Sequence, residues 1–324
     1  MASPDWLVER GIGETRAALV QDGDIVEARI ELDGAVLAGS VIRARLANIG
    51  TNGRNAIAVA EGGAEYLLPR GAPGVTHGAT LTIEVTREAI PGLESWKRPL
   101  ARTTDKAPTV APAFVGRPNG LEIAFPTPAD RLAEAGWDEL LDQARSGIIT
   151  FAGGELRISP TPAMTLIDVD GYLAPEDLAI LGAAEAARAI RRLDIGGSIG
   201  IDLPTVGSKG ARQKAAQAID TILPQPFERT AVNGFGFIQL VRPRARASLI
   251  ELAQDRVLFE ARAFLRRSAF ENAGPKRLVG PPTLIAALEA RPDWLEALSR
   301  QVGGAVSLRS DPNIPMSGGY AEAA

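Results

Sequence analysis

Over the first hundred residues, apolar and polar positions alternate in short runs. "TRAALV" and "DIVEARIEL" flank "QDGD". An Asp-Gly pair between two alternating runs signals a hairpin, because the tight turn that matches strand twist needs positive φ at its centre. "GSVIRARLANIG", "NAIAVAEG", "AEYLLP" and "ATLTIEVTREAI" follow at short spacing, separated by Gly, Asn and Pro. Short strands punctuated in this way predict a small β-barrel of the OB type. "GIGETR" contains Gly-x-Gly, but no helical period follows it, so no phosphate loop is expected. Residues 103–128, rich in Pro and Thr, read as a connector.

The period then changes. Leu132, Trp137, Leu140, Leu141 and Ala144 fall at helical spacing, with Trp137 directed to a core. "GIITFAGGELRISP" predicts a hairpin and "AMTLIDVDG" a buried strand. Pro175 opens a helix with Glu176 and Asp177 in its favourable first turn, and the helix runs to about Arg192 before the stop "DIGG". "GSIGIDLP" is a second buried strand, "SKGARQKAAQAIDTIL" a helix and "GFGFIQLVRPR" a further strand. Such alternation builds a mixed α/β layer on one sheet. Beyond Ser248 one long helix, "LIELAQDRVLFEARAFLRRSAF", leads to a small α/β tail with strands "KRLVGP" and "GAVSLRS". The terminal "MSGGYAEAA" reads as frayed.

Composition narrows the chemistry. The chain has 324 residues, 45% hydrophobic and 23% charged, which suits a globular protein of more than one domain. It has no cysteine, which excludes disulfides, zinc-thiolate sites and thiol nucleophiles. Its one histidine, His77, sits in the Gly-containing stretch "GVTHGAT" and reads as a loop residue. Carboxylates, hydroxyls, Lys and Arg must therefore carry any reaction. The start lacks the apolar core of a signal peptide and no run is long enough to span a bilayer, so a soluble, cytoplasmic protein without a membrane partner is expected. The formal net charge is −4, but residues 188–246 hold ten Lys/Arg against four Asp/Glu. That window is where a polyanion would be met.

Two apolar strands end in acids. "TLIDVD" places Asp168 and Asp170 on one side of a strand, and "SIGID" ends in Asp202. A helix joins the two runs, as a crossover between neighbouring parallel strands would, so the three carboxylates converge at one sheet edge. Converging carboxylates repel and call for a counterion. Mg²⁺, or Mn²⁺ in its place, is the natural one, held by one or two acids plus waters. Taken singly, Asp170-Gly171 is an ordinary strand-ending turn and Asp202 before Leu203-Pro204 a loop cap. "LIDVDGYL" also looks like the haloacid dehalogenase phosphatase signature, with Lys209 or Lys214 as its Lys. The next strand, however, ends in Asp202 rather than Ser/Thr, and "GFGFIQLVRP" brings no acid.

The chain resembles the ribonuclease E/G family. "LVERGIGETRAALVQDGDIVEARIE" is similar to that family's opening hairpin before an inserted OB-type RNA-binding domain, and "GIITFAGGELRISPTPAMTLIDVDG" to its metal-binding strand. "AAEAARAIRRLDIGGSIGIDLP" resembles the helix, Gly-Gly turn and second acidic strand, and "GFGFIQLVRPR" and the tail follow in order. The resemblance implies an α/β (α+β multidomain) chain: an N-terminal hairpin (1–33), an OB-type barrel (34–103), a catalytic α/β domain (104–247) and a long helix with a small α/β domain (248–324). It implies a Mg²⁺-dependent endoribonuclease acting on single-stranded RNA and leaving 5′-phosphate and 3′-hydroxyl ends. Asp168 and Asp202 are then the metal ligands, and Asp170 stands where the family usually has Asn. The resemblance also implies a homodimer, but no zinc-linked tetramer, since the Cys-x-x-Cys link is missing. The loop after Asp170 is short, the family's Arg before the Phe-Gly strand is Gly234, and the chain before "GIITFAGG" is too short for the usual 5′-end sensor. An RNA-binding relative with weak or lost cleavage is the alternative.

For RNA contact the sequence offers Arg188 and Arg192 (with Arg191) on one helix face, Lys209, Arg212 and Lys214 after the second acidic strand, and Arg242 and Arg244 (with Arg246) at a strand end. The barrel adds Tyr66 and Trp96 as stacking aromatics, with Lys97 and Arg98 beside them.

Overall fold

The computed structural model describes residues 5–91, 97–113, 120–126 and 129–324. Among them are eighteen strands and eight helices, and no helix is long and apolar enough to cross a membrane. The chain divides into two compact units, one of Met1–Asp33, Phe114–Leu140 and Leu252–Ala324, the other of Gly34–Ala113 and Leu141–Glu251.

Strands β1 (Asp5–Arg10), β2 (Glu14–Gln21) and β3 (Asp24–Leu32) form an antiparallel meander. Its second turn is the expected Asp-Gly hairpin, with Asp22 at φ 54° and Gly23 at 95°. Next come β4 (Val41–Asn48), β5 (Ala56–Ala60), β6 (Glu65–Leu68), β7 (Thr80–Arg87) and β8 (Leu100–Thr103), which close into a five-stranded barrel in the order β4-β5-β6-β8-β7. Alternate residues fill it, Ala44, Leu46, Leu68, Ile83 and Val85 among them.

The stretch read as a connector contains a strand, β9 (Gly120–Ile123), which pairs in parallel with β1. Four residues among prolines carry too little periodicity to announce a strand, and its long-range partner supplies the order. The single helix expected around Leu132 to Ala144 is two, α1 (Arg131–Glu134) and α2 (Trp137–Ser146), parted by Gly136 at φ 93°. Trp137 is fully buried, as its spacing implies.

The central sheet follows: β10 (Ile148–Phe151), β11 (Gly154–Pro160), β12 (Thr165–Gly171), α3 (Pro175–Arg192), β13 (Gly197–Asp202), α4 (Lys209–Ile222), β14 (Glu228–Arg229) and β15 (Phe237–Arg242). Its order is β10-β11-β12-β13-β15-β14, with β12 and β13 parallel and β13 and β15 antiparallel. Ile167, Val169, Ile199 and Ile201 fill the face that α3 covers, and α4 packs beside α3. Gly182 allows this approach: a Cβ there would stand 2.3 Å from Val169 Cγ1.

The long helix expected beyond Ser248 is broken into α5 (Leu249–Leu252) and α6 (Arg256–Phe270), because Asp255 caps the second through Leu258 N. Strand β16 (Lys276–Gly280), α7 (Pro282–Glu289), α8 (Pro292–Val302) and β17 (Val306–Ser310) complete the α/β tail. The terminus is not frayed, since β18 (Tyr320–Ala323) pairs antiparallel with β16. Within this unit, α6 meets the meander through buried charges. Arg262 binds Glu14, Arg266 binds Glu9 and Asp130, and Arg16 lies between Glu9 and Glu14. Buried ions persist only when paired in this way.

Candidate functional site

Strand β12 alternates buried Thr165, Ile167 and Val169 with exposed Leu166, Asp168 and Asp170. The crossover through α3 brings β13 alongside in a register that makes Asp168 and Asp202 direct Cα partners. Neighbouring strands run about 5 Å apart, so the two carboxylates stand abreast on the face opposite the helices. Asp170 projects from the same face two residues farther out, about 7 Å along the strand. On the other side, β11 places Arg157 opposite Asp168 and Glu155 opposite Asp170. Arg157 binds Glu155 at 2.6 Å and attracts both aspartates.

Asp168 feels this crowding. Partial burial first, and then the charges of Asp170 and Asp202, push its carboxyl above the usual Asp range, while Arg157 pulls the other way. Among the described residues no group of three or more His, Cys, Asp or Glu is gathered closely enough to hold a metal ion. What the fold presents is a pair of facing carboxylates, with Asp170 beyond them.

The open face continues as an apolar floor. Phe237 is the register partner of Asp202, and its ring lies over Gly200 with Leu166 alongside; a Cβ on Gly200 would come within 2.5 Å of the ring. Leu166, Ile148 and Val241 on this face are 39%, 40% and 50% exposed.

The basic window is split by the topology. α4 starts where β13 ends, so Lys209, Arg212 and Lys214 lie at the acid end of the sheet. Ser208 caps that helix through Ala211 N, and Arg212 closes the preceding loop by donating to Val206 O and Gly207 O. Lys209 and Lys214 are exposed. α3, by contrast, runs back and delivers Arg188, Arg191 and Arg192 to the start of β13, and β15 ends there too with Arg242. Five residues of strand, about 17 Å, separate this end from Asp202.

The arginines at the far end are used internally. Arg188 pairs with Glu185, Arg244 with Glu251 and Arg246 with Asp194. Arg242 donates to the carbonyls of Ile190 and Ile195, and neither Arg191 nor Arg192 is free.

In the barrel, Tyr66 is 3% exposed and part of the core, so it offers no stacking face; it occupies an inward position of β6, which the alternation of "EYLL" permits. Trp96 lies outside the described residues. Lys97 donates to Pro162 O, and Arg98 pairs with Glu65. Arg43, Arg45 and His77, none of them singled out from sequence for binding, line a groove on the barrel surface. Glu155 and Arg157 were also missed. Their signal was the alternation of "GELRISP", which puts both on the face of the aspartates.

No protein-family model matches the chain. It is 30% identical over 110 residues to ribonuclease G of Escherichia coli strain K12 and to that of Shigella flexneri, and 29% identical to that of Salmonella typhimurium strain SL1344. Each match covers 30% of this chain and 22% of the relative. The similarity is thus to a ribonuclease, distant and over part of the chain.

Proposed function

We propose that the protein is a ribonuclease E/G-type endoribonuclease that cleaves single-stranded RNA at the open face of the central sheet. The observation that carries this reading is the Asp168–Asp202 register, which sets two carboxylates abreast at the end of adjacent parallel strands. Magnesium accepts one or two carboxylates plus waters, so this donor pair fits it, with Asp168 and Asp202 as its ligands. Bound there, it would supply an activated water and charge neutralisation at phosphorus. Attack by the water oxygen on phosphorus, with departure of the 3′ oxygen carrying a proton, leaves a 5′-phosphate and a 3′-hydroxyl. In this reading Asp170 orients that water, and Lys209 and Lys214 hold flanking phosphates. Lys209 opens a helix whose positive end favours anions, a poor place for a cation unless an anion is bound. We read the closed barrel as an OB-type module adding weak backbone contacts through Arg43 and Arg45.

The second reading is an RNA-binding relative without cleavage, favoured by the extra charge at Asp170 and by the lack of a tight third ligand. One experiment separates the two. Labelled single-stranded RNA is incubated with wild type, Asp168→Asn and Asp202→Asn, with and without Mg²⁺. Magnesium-dependent cleavage that falls about a thousandfold or more in either variant is expected, as for a loss of several kcal/mol at the transition state. RNA bound but uncut by wild type would sink the nuclease reading.

A further inference from the structure

Among the described residues, Tyr172 and Phe235 are the two most exposed aromatic side chains, at 85% and 81%. Single exposed apolar residues need no explanation. These two, however, share one place, the acid end of the central sheet, and each is held there by backbone. Tyr172 directly follows β12, and its N–H donates to Gly153 O across the hairpin. Gly171 beside it has no room for a side chain, since a Cβ would stand 2.3 Å from Gly153 O. Phe235 sits in the turn before β15. Asn233 Oδ1 accepts from the N–H groups of Phe235 and Phe237, and Thr205 Oγ1 donates to Phe235 O. Gly236, at φ 92°, donates to Asn233 O and accepts from Leu203 N. The Phe235 turn is thereby tied to the segment that immediately follows Asp202.

Register places the two rings on opposite flanks. β12 and β15 are the neighbours of β13 on either side, about 10 Å apart, and both rings stand beyond the carboxylates in the same direction along the sheet. Exposed rings on turns held by backbone hydrogen bonds, at the end of the sheet where α4 begins with the exposed Lys209, are the elements of a single-strand binding surface: charge for the backbone and π-faces for the bases.

We propose that Tyr172 and Phe235 are base-stacking platforms for single-stranded RNA, each taking one base on its own side of a phosphate lying over Asp168 and Asp202. The assignment rests on the RNA-cleaving reading above and deepens it. It makes recognition tolerant of sequence, because every base has a π-face.

The test compares affinities, without divalent cations, for a short oligouridylate and for an abasic ribose-phosphate oligomer of equal length. Wild type, Tyr172→Ala, Phe235→Ala, the double variant and the aromatic exchanges Tyr172→Phe and Phe235→Tyr are measured. Each alanine is expected to weaken oligouridylate binding roughly tenfold. Abasic binding should be unchanged, and the aromatic exchanges should hold the wild-type value. Equal loss on both oligomers, or loss on neither, overturns the proposal. So does a fall in molar mass of the alanine variants with unchanged RNA affinity, which would make the rings a contact between two copies of this chain. Magnesium-dependent cleavage is read in parallel. Base-dependent binding without cleavage leaves the stacking assignment standing and removes the nuclease, while cleavage with no base dependence does the reverse.

Discussion

The two ends of the central sheet carry opposite charge and treat it in opposite ways. At one end Asp168, Asp170 and Asp202 are exposed on an open face, and like charges remain near one another. At the other, Arg242, Arg244 and Arg246 are only partly exposed and tied to carbonyls or carboxylates of the same unit. Unbalanced charge costs stability, so a fold retains it where something else binds. Matched charge needs no ligand. The acid end is therefore the place to look for chemistry, and the basic end reads as architecture, even though the sequence concentrates its cations in one window.

Gly182→Ala would disturb the acid end from behind and should have the largest effect on stability. The added methyl meets Val169 Cγ1 at 2.3 Å, which forces α3 off β12 or shifts the strand between Asp168 and Asp170. Overpacking of this kind costs about 1–3 kcal/mol. A lower urea midpoint together with reduced RNA cleavage is expected, and unchanged cleavage would show that the carboxylates do not depend on that seat. Arg242→Met tests the other end. Two carbonyls lose a charged donor, at about 2 kcal/mol. Chemical denaturation should show that loss, while RNA affinity at fixed salt stays within error. A drop in affinity would move the phosphate path to the basic end.

Smaller effects follow from the cations at the acid end. Lys209→Ala should weaken RNA binding a few-fold and lower the slope of log affinity against log salt by about 1, whereas Arg188→Ala, already paired with Glu185, should leave the slope alone. Equal slopes for both variants would erase the distinction between the ends.

How much of this the sequence showed depends on the range of the interactions concerned. Apolar patterning and the Asp-Gly turn are local, and they marked the β2–β3 hairpin, four of the five barrel strands and both acidic strands, while β1 and β8 went unread. The apposition of Asp168 and Asp202 was legible because a crossover helix constrains its two strands to be parallel neighbours. The division of the basic window was implicit in the same topology, since α3 must return to the opposite end, but the residue count alone hid it. Strand β9 and strand β18 were missed because each is short and ordered by a distant partner. Glu9, Glu14 and Arg16 look like solvent-facing positions of a hairpin, and only α6, some 250 residues on, makes their burial affordable. Tyr66 shows the same limit, because the side of a barrel strand that faces inward is decided by closure.

The smallest effect is also the one that sets the two ends most directly against each other, because pH should act on them with opposite sign. Asp168 is raised above its ordinary value, chiefly by burial and then by its acidic neighbours, so its ionised form is a burden on the folded state. That burden is full above the raised value and disappears as pH falls below the ordinary one near 4. Toward the basic end, where β14 pairs with Leu240 and Val241, Asp220 near the end of α4 is lowered by its hydrogen bonds to Arg229. Its ionised form therefore stabilises the fold above the ordinary value, and that gain is lost as pH falls through the depressed one. Without divalent cations, Asp168→Asn should therefore stabilise the protein slightly at neutral pH and Asp220→Asn destabilise it, each by well under 1 kcal/mol, since both groups are substantially exposed. Both differences should close in acid, the first as pH falls below about 4 and the second only at still lower pH. Denaturation midpoints measured from pH 7 down to pH 3 would show the two curves approaching wild type from opposite sides; approach from the same side would mean that the acid end carries no stored repulsion.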